Sequence, residues 1–150
     1  MSCFVLLFLA GTSIMVKLVM AQGQPSNQTE IIVAKTPEEK ANLERMDKLD
    51  FEAWNNRNWT LFSDMHGQDV LVSDFNGNVT KGLDQHLQWA KKVVAFQPDS
   101  KLVSHPIKIA AGNWTAVTGI LSGNITMMTL AHWENGKITE EHLFWQMPSQ

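Results

Sequence analysis

The C-terminal end of the chain carries three titratable side chains that could transfer protons. His132 lies in one predicted strand, and Glu140 and His142 lie in the next. Side chains alternate between the two faces of a strand, so Glu140 and His142 share a face. Imidazoles and carboxylates act as general acids and bases when their pKa values lie near the working pH. We therefore take these three residues as candidate catalytic groups. The alternatives are a buried, neutral His132 and a Glu140 that pairs with a cation at the sheet rim.

The turn around Asn135-Gly136 decides whether His132 joins that face. A two-residue turn would pair Glu134 with Lys137 and place His132 on the opposite face. A three-residue turn with a left-handed glycine would pair Trp133 with Lys137 and place His132 on the same face. The residues alone leave both registers open.

The other histidines do not form a metal-binding motif. The sequence has no His-Glu-x-x-His segment and no acidic cluster at ligand spacing, so it predicts no metal site. His105 shares a strand face with apolar residues, which is typical of a hydrogen-bonded core histidine. His66 follows a short helix and is expected at its cap or in a loop. His86 borders the apolar stripe of a later helix, from which it could reach a pocket.

Residues 1–21 resemble a secretory signal. Phe4 to Ala10 is a short apolar run, and small residues precede a cleavage point after Ala21. An uncleaved anchor is the alternative, but Lys17 interrupts the apolar stretch, and a spanning helix needs about 20 apolar residues. Cleavage would give a secreted or periplasmic protein with no membrane attachment. It would also remove Cys3, the single cysteine, and with it any thiol chemistry.

The mature chain is predicted to form one domain. Residues 22–36 are expected to be a linker, residues 37–146 the domain and residues 147–150 a tail. The net charge of -3 and the lack of a basic patch argue against nucleic-acid binding. Five Asn-x-Ser/Thr sequons are interpreted as turn residues, although glycosylation depends on the host. They are Asn27, Asn58, Asn78, Asn113 and Asn124.

Local patterns predict three helices followed mainly by strands. Thr36-Pro37-Glu38-Glu39 is a helix start with a capping box, and that helix is expected to end near Asn55. A short helix follows, then a strand over 69–75 and a helix over 83–96. The remaining strands are expected at 101–110, 114–122, 125–134 and 137–146. Helices that precede a run of strands are typical of an α+β fold.

Several segments in this order resemble the SnoaL-like polyketide cyclase, or ester cyclase, branch of the nuclear-transport-factor-2-like superfamily. They are Ala53-Trp54-Asn55, His66-Gly67-Gln68-Asp69-Val70, Gly77 to Gly82, Gln97-Pro98-Asp99, Ala111 to Val117, His132-Trp133 and Asn135 to Trp145. The resemblance implies a cone in which a curved antiparallel sheet wraps around N-terminal helices. It also implies a homodimer that forms through the outer face of the sheet, and it favours the three-residue turn.

The cyclases of this family move a proton with a carboxylate on the last strand, assisted by a histidine on the preceding strand. No metal or cofactor takes part. His132 matches the histidine, but Gln146 occupies the carboxylate position. An amide cannot accept a proton from carbon, which favours a protein that binds a small hydrophobic molecule in its cone. The residues expected to line that pocket are Trp54, His86, Trp89, Met128, Leu130, Phe144 and Gln146.

Two alternatives to a binding protein remain open at this point. One is a cofactor-independent cyclase, isomerase or hydrolase that uses His132 with Glu140 or His142. The other is a structural or dimeric interaction domain.

Overall fold

The structure is a computed structural model, and it describes residues 30–146. The predicted signal peptide, the first part of the predicted linker and the tail at 147–150 lie outside the described residues. Within 30–146, none of the helices has the length and apolar character needed to cross a membrane.

The first helix, α1 (Pro37–Asp47), begins at the predicted capping box. The Glu39 amide donates to the Thr36 hydroxyl at 3.1 Å, and the Thr36 amide donates to the Glu39 carboxylate at 2.9 Å. The helix continues as a π-helix over Lys48–Trp54, in which Leu49 and Ala53 are buried. Segments of this kind are rare and are frequent at functional sites. This segment carries Asp50 and Trp54 to the interior of the fold.

Two further helices flank the first part of the sheet. The short α2 (Trp59–Asp64) starts at Asn58, whose side chain accepts a hydrogen bond from the Leu61 amide at 3.1 Å. The strands β2 (His66–Ser73) and β3 (Val79–Lys81) follow. Next comes α3 (Leu83–Phe96), which buries a stripe with helical spacing. That stripe consists of Leu83, His86 and Ala90.

In the described part of the chain, seven strands form one sheet in the order β1-β4-β5-β6-β7-β2-β3. The strands not yet given are β1 (Ile31–Val33), β4 (Leu102–Ala111), β5 (Trp114–Leu121), β6 (Ile125–Glu134) and β7 (Lys137–Gln146). The predicted α+β class is confirmed. The sheet is mixed rather than all-antiparallel, because β1 pairs in parallel with β4 and β2 pairs in parallel with β7. Part of the predicted linker is therefore the edge strand β1.

The sheet has one face against the helices and one face toward solvent. Val117, Ala131 and Ile138 are buried on the inner face, in one cluster with Leu43 and Met46 of α1. Alternation of buried and less buried residues along β5 and β6 is typical of a sheet covered on one side. The helices therefore enclose the inner face, and the outer face stays accessible.

The predicted three-residue turn between β6 and β7 is wrong. Asn135 and Gly136 have φ values of 52° and 75°, and Glu134 pairs with Lys137, as in a two-residue hairpin turn. A β-bulge follows at Thr139, because Trp133 pairs with Ile138 while His132 pairs with Glu140. The extra residue places His132 and Glu140 on the same face of the sheet, as expected, although the turn differs.

Candidate functional site

The helices and the inner face of the sheet enclose a cavity of about 50 Å³. At roughly 10–15 Å³ for one water molecule, this volume admits a few waters. Its walls are mainly apolar, and Asp50, His86 and Glu141 are its charged or titratable residues. The other lining residues are Leu49, Trp54, Phe62, Trp89, Val93, Val94, Gln97, Ser100, Leu102, Leu121, Met127, Thr129, Leu143 and Trp145. A drug-sized ligand would have to displace flexible side chains such as Met127.

Three buried side chains from separate elements meet in this region. His66 begins β2, His86 lies on α3, and Glu141 lies on the inner face of β7; their exposed fractions are 0%, 1% and 5%. The Glu141 Oε2 atom lies 3.5 Å from the Nε2 atom of His86 and 3.9 Å from that of His66. Both distances exceed the usual length of a hydrogen bond. Burial lowers the pKa of His86 to about 4, although the Glu141 charge opposes that shift, so His86 is neutral at pH 7.

Backbone and aromatic contacts fix the orientation of the two histidines. The Nδ1 atom of His66 lies 2.7 Å from the Phe62 carbonyl oxygen. A carbonyl can only accept, so Nδ1 carries the proton and Nε2 faces Glu141. The Phe62 ring contacts both imidazoles, with centroid distances of 4.4 Å to His66 and 5.2 Å to His86. Trp89 stacks on His86 at 5.4 Å.

A second charged group of residues supports the cavity wall at Asp50. The ring nitrogens of His105 donate to the carboxylates of Asp47 and Asp50 at 2.8 and 3.0 Å, so the ring is an imidazolium. Burial acts to lower the pKa of His105, but the two carboxylates outweigh burial and raise it to about 9. Lys108 donates to Asp47 at 2.9 Å and pairs with Glu30 at 2.7 Å. His105 is thus buried and hydrogen-bonded as predicted, but it does not share a face with its apolar neighbours. Irregular pairing in β4 leaves Val103 and Ile109 exposed while His105 is buried.

Two tryptophans of the cavity wall carry buried indole N–H groups. Those of Trp54 and Trp145 have no hydrogen-bond acceptor within residues 30–146, whereas Trp89 donates to Asp74 at 3.1 Å. Trp89 and Trp145 also border an open groove of about 710 Å³ next to the cavity. A molecule that enters from the groove would therefore pass these two indoles.

The residues predicted to form the site divide between the two faces of the sheet. Trp54, His86 and Trp89 line the cavity. The others lie on the outer face, because the strand residues of the cavity have the opposite parity, such as Met127 and Glu141. These outer residues are Met128, Leu130, His132, Glu140, His142, Phe144 and Gln146. There, His142 contacts Glu140 at 2.9 Å and the Ser73 hydroxyl at 2.6 Å.

Sequence reasoning missed three polar residues of the inner region. Asp50 and Glu141 were not considered, and His66 was expected in a cap or loop but is fully buried at the start of β2. Glu141 lies two and four residues before the inward-facing Leu143 and Trp145, so it has the same strand parity. This spacing could have identified it as an inner residue.

Comparisons of the sequence with protein-family models and with curated proteins give no match. The fold matches solved structures with TM-scores above 0.6. A protein proposed to be a SnoaL-like polyketide cyclase, from Jannaschia sp. CCS1, has a TM-score of 0.67 at 15% identity, over 75% of this chain and 90% of that one. A proposed ketosteroid isomerase from Kribbella flavida has a TM-score of 0.65 at 18% identity, over 75% and 83%. A nuclear-transport-factor-2-like protein of unknown function from Mesorhizobium loti has a TM-score of 0.64 at 13% identity, over 78% and 100%. At these identities the likeness shows the SnoaL-like, nuclear-transport-factor-2-like fold and not an activity.

Proposed function

We propose that this chain, with its SnoaL-like fold, binds a small and mainly apolar molecule that carries a hydrogen-bond acceptor. Apolar walls with a few polar groups are typical of small-molecule sites. The cavity has such walls, formed by residues such as Leu121 and Leu143, and it has polar groups at Asp50, His86 and Glu141.

The two buried indole N–H groups carry this proposal. Leaving a buried donor without an acceptor costs about 1–3 kcal/mol, whereas a made hydrogen bond contributes about 0.5–1.5 kcal/mol. Trp54 and Trp145 both line the cavity and have no acceptor within residues 30–146. A carbonyl or ether oxygen on the ligand would satisfy one of them once neighbouring side chains move aside, because both N–H groups are buried. The ligand is therefore expected to be apolar over most of its surface with at least one such oxygen.

A matched pair of aromatic probes tests the proposal. Both probes are larger than the cavity of about 50 Å³, so their binding requires displacement of side chains such as Met127. Binding of 2-acetylnaphthalene and of 2-ethylnaphthalene is measured by quenching of tryptophan fluorescence and by NMR. The ketone offers an acceptor and the hydrocarbon does not, so we expect the ketone to bind about 2–12-fold more tightly, from about 0.5–1.5 kcal/mol for one hydrogen bond. Extraction of the purified protein and mass spectrometry would identify a ligand that co-purifies.

Matched valine substitutions locate the binding site. Val93→Trp fills the cavity wall and should abolish binding of the ketone. Val103 is 65% exposed and does not line the cavity, so Val103→Trp should leave binding unchanged. If neither probe binds, or if both variants bind like the parent chain, the proposal is wrong.

The outer-face residues do not support the alternative of proton transfer by His132 with Glu140 or His142. These side chains are separated from the cavity by the sheet itself. We propose a different role for that face, as the contact surface of a homodimer. It exposes the cross-strand neighbours Met128 and Phe144, at 36% and 49%. Export through residues 1–21 remains a further proposal, and N-terminal sequencing of the secreted protein would test it.

A further inference from the structure

We propose that His66, His86 and Glu141 form a binding site for one divalent transition-metal ion. One ligand atom from each residue lies within 4.8 Å of the other two, and all three side chains are buried. Two imidazole nitrogens and one carboxylate oxygen are a donor set that Zn²⁺, Co²⁺ and Fe²⁺ bind in proteins. The three residues come from β2, α3 and β7, so no local sequence motif identifies them.

The distances fit an ion better than a direct hydrogen bond. Glu141 Oε2 lies 3.5 and 3.9 Å from the two Nε2 atoms, whereas hydrogen bonds of this type span about 2.7–3.2 Å. Ligands held at about 2.1 Å from a tetrahedral ion are about 3.4 Å apart. Both observed distances lie within about half an ångström of that value. The three ligand atoms lie within 4.8 Å of one another, so the two imidazoles would also have to move closer together to complete the coordination.

The hydrogen bond of His66 prepares it as a ligand. Its Nδ1–H group donates to the Phe62 carbonyl, which leaves the Nε2 lone pair directed toward Glu141. Metal-binding histidines commonly donate their other N–H group to a backbone carbonyl in this way. The Nε2 atom is buried and has no hydrogen-bond partner in the described part of the chain. A cation between Nε2 and the carboxylate would give this nitrogen a partner.

The position of the site leaves coordination open toward the cavity. Glu141 and His86 both line the cavity, so a water molecule or a ligand oxygen could take the fourth position. Three protein ligands with one open position are typical of catalytic zinc sites, whereas structural zinc sites have four protein ligands. The metal proposal goes beyond ligand binding and does not depend on it, because the ion needs only the three side chains.

Cobalt and zinc titrations of the full-length chain test the metal site. The protein is dialysed against EDTA and then titrated with Co²⁺, followed by visible absorption, and with Zn²⁺, followed by calorimetry. We expect one ion per chain and the absorption bands of four-coordinate Co²⁺. Glu141→Gln and His86→Gln should each weaken Zn²⁺ binding by more than about 100-fold, beyond the 10–100-fold typical of outer-shell partners.

His142→Gln is the matched control, because it removes an outer-face histidine that also contacts a glutamate. It should leave the stoichiometry and the affinity unchanged. If Glu141→Gln and His86→Gln do not fold, ¹⁵N NMR of the parent chain gives the same answer, since Zn²⁺ should shift the Nε2 signals of His66 and His86. No ion bound, binding that survives both inner variants, or loss of binding in His142→Gln would overturn the proposal. The naphthalene assays contain EDTA, so either proposal can fail alone.

Discussion

The ion pairs of His105 predict that the protein loses stability between pH 7 and pH 9. An unfolded histidine titrates near 6.5, and the carboxylates of Asp47 and Asp50 raise the folded pKa of His105 to about 9 against the effect of burial. A folded pKa above the unfolded one gives stability that is complete below pH 6.5 and is lost as the pH rises through 9. At 1.36 kcal/mol per pH unit, the full effect is about 3 kcal/mol, of which about 2 kcal/mol disappears between pH 7 and pH 9.

The groups around His105 have pKa values that shift in different directions. Asp47 has its pKa lowered: burial opposes the shift, but His105 and Lys108 outweigh it. Burial raises the pKa of the Asp50 carboxyl, yet the His105 imidazolium stabilises its ionised form and limits the shift. For Lys108, burial acts to lower the pKa, but Glu30 and Asp47 outweigh it and raise it above 10.5. Asp47 and Lys108 therefore stay charged above pH 7, and an NMR titration of His105 assigns the fall in stability to its ring.

Urea denaturation at half-unit steps from pH 7 to pH 9, with EDTA present, measures this fall. We expect the free energy of unfolding to drop by about 2 kcal/mol in the parent chain. Asp47→Asn removes one of the two carboxylates and should make the drop smaller, whereas His142→Gln should leave it unchanged. Equal drops in the parent chain and Asp47→Asn, or an NMR titration of His105 centred near pH 6.5, would refute the reasoning.

Three further predictions concern helix capping, the cavity wall and assembly. Thr36→Ala removes the cap of α1 and should cost about 1 kcal/mol in urea denaturation, and an unchanged midpoint would contradict the capping role. A Cβ atom on Gly119 would lie 2.5 Å from Leu102 Cδ1 and 3.1 Å from Met127 Cγ. Gly119→Ala should therefore push both side chains into the cavity, cost about 1–3 kcal/mol and weaken binding of 2-acetylnaphthalene; tighter binding would count against it. Phe144→Lys should convert the proposed homodimer to monomers in light scattering, while a monomeric parent chain would exclude the dimer.

The elements that local sequence specifies were predictable. The capping box at Thr36 and the helical stripe around Ala90 predicted the two longer helices. Neighbouring Asn and Gly residues predicted the positions of turns, although not the type of the turn between β6 and β7. Such signals act over a few residues, so they do not depend on the rest of the fold. The α+β class followed from the order of these elements.

The features that depend on distant contacts were not predictable. The strand β1 has three residues and pairs in parallel with β4, with Ile31 opposite Ile107. The inner and outer faces of β6 and β7 are decided by packing against α1 and α3, not by the hairpin. That is why Trp54, His86 and Trp89 line the cavity whereas Met128 and the other strand residues chosen with it do not. His66 and Glu141 meet because β2 pairs in parallel with β7, although the two strands are far apart in the sequence.

The bulge at Thr139 changes which face of the sheet each later residue of β7 occupies. After the bulge, the alternation of side chains along β7 places Glu141 on the inner face. Regular pairing from the turn would place Glu140 and His142 there instead. Deleting Thr139 would remove the bulge and leave the later residues of β7 on the same faces. Glu141 would then stay in the cavity, with its number lowered by one. Among proteins of this fold, a carboxylate that keeps its position in the cavity can therefore shift by one place in a sequence alignment. A comparison without a gap would then match it to the neighbouring residue that faces solvent.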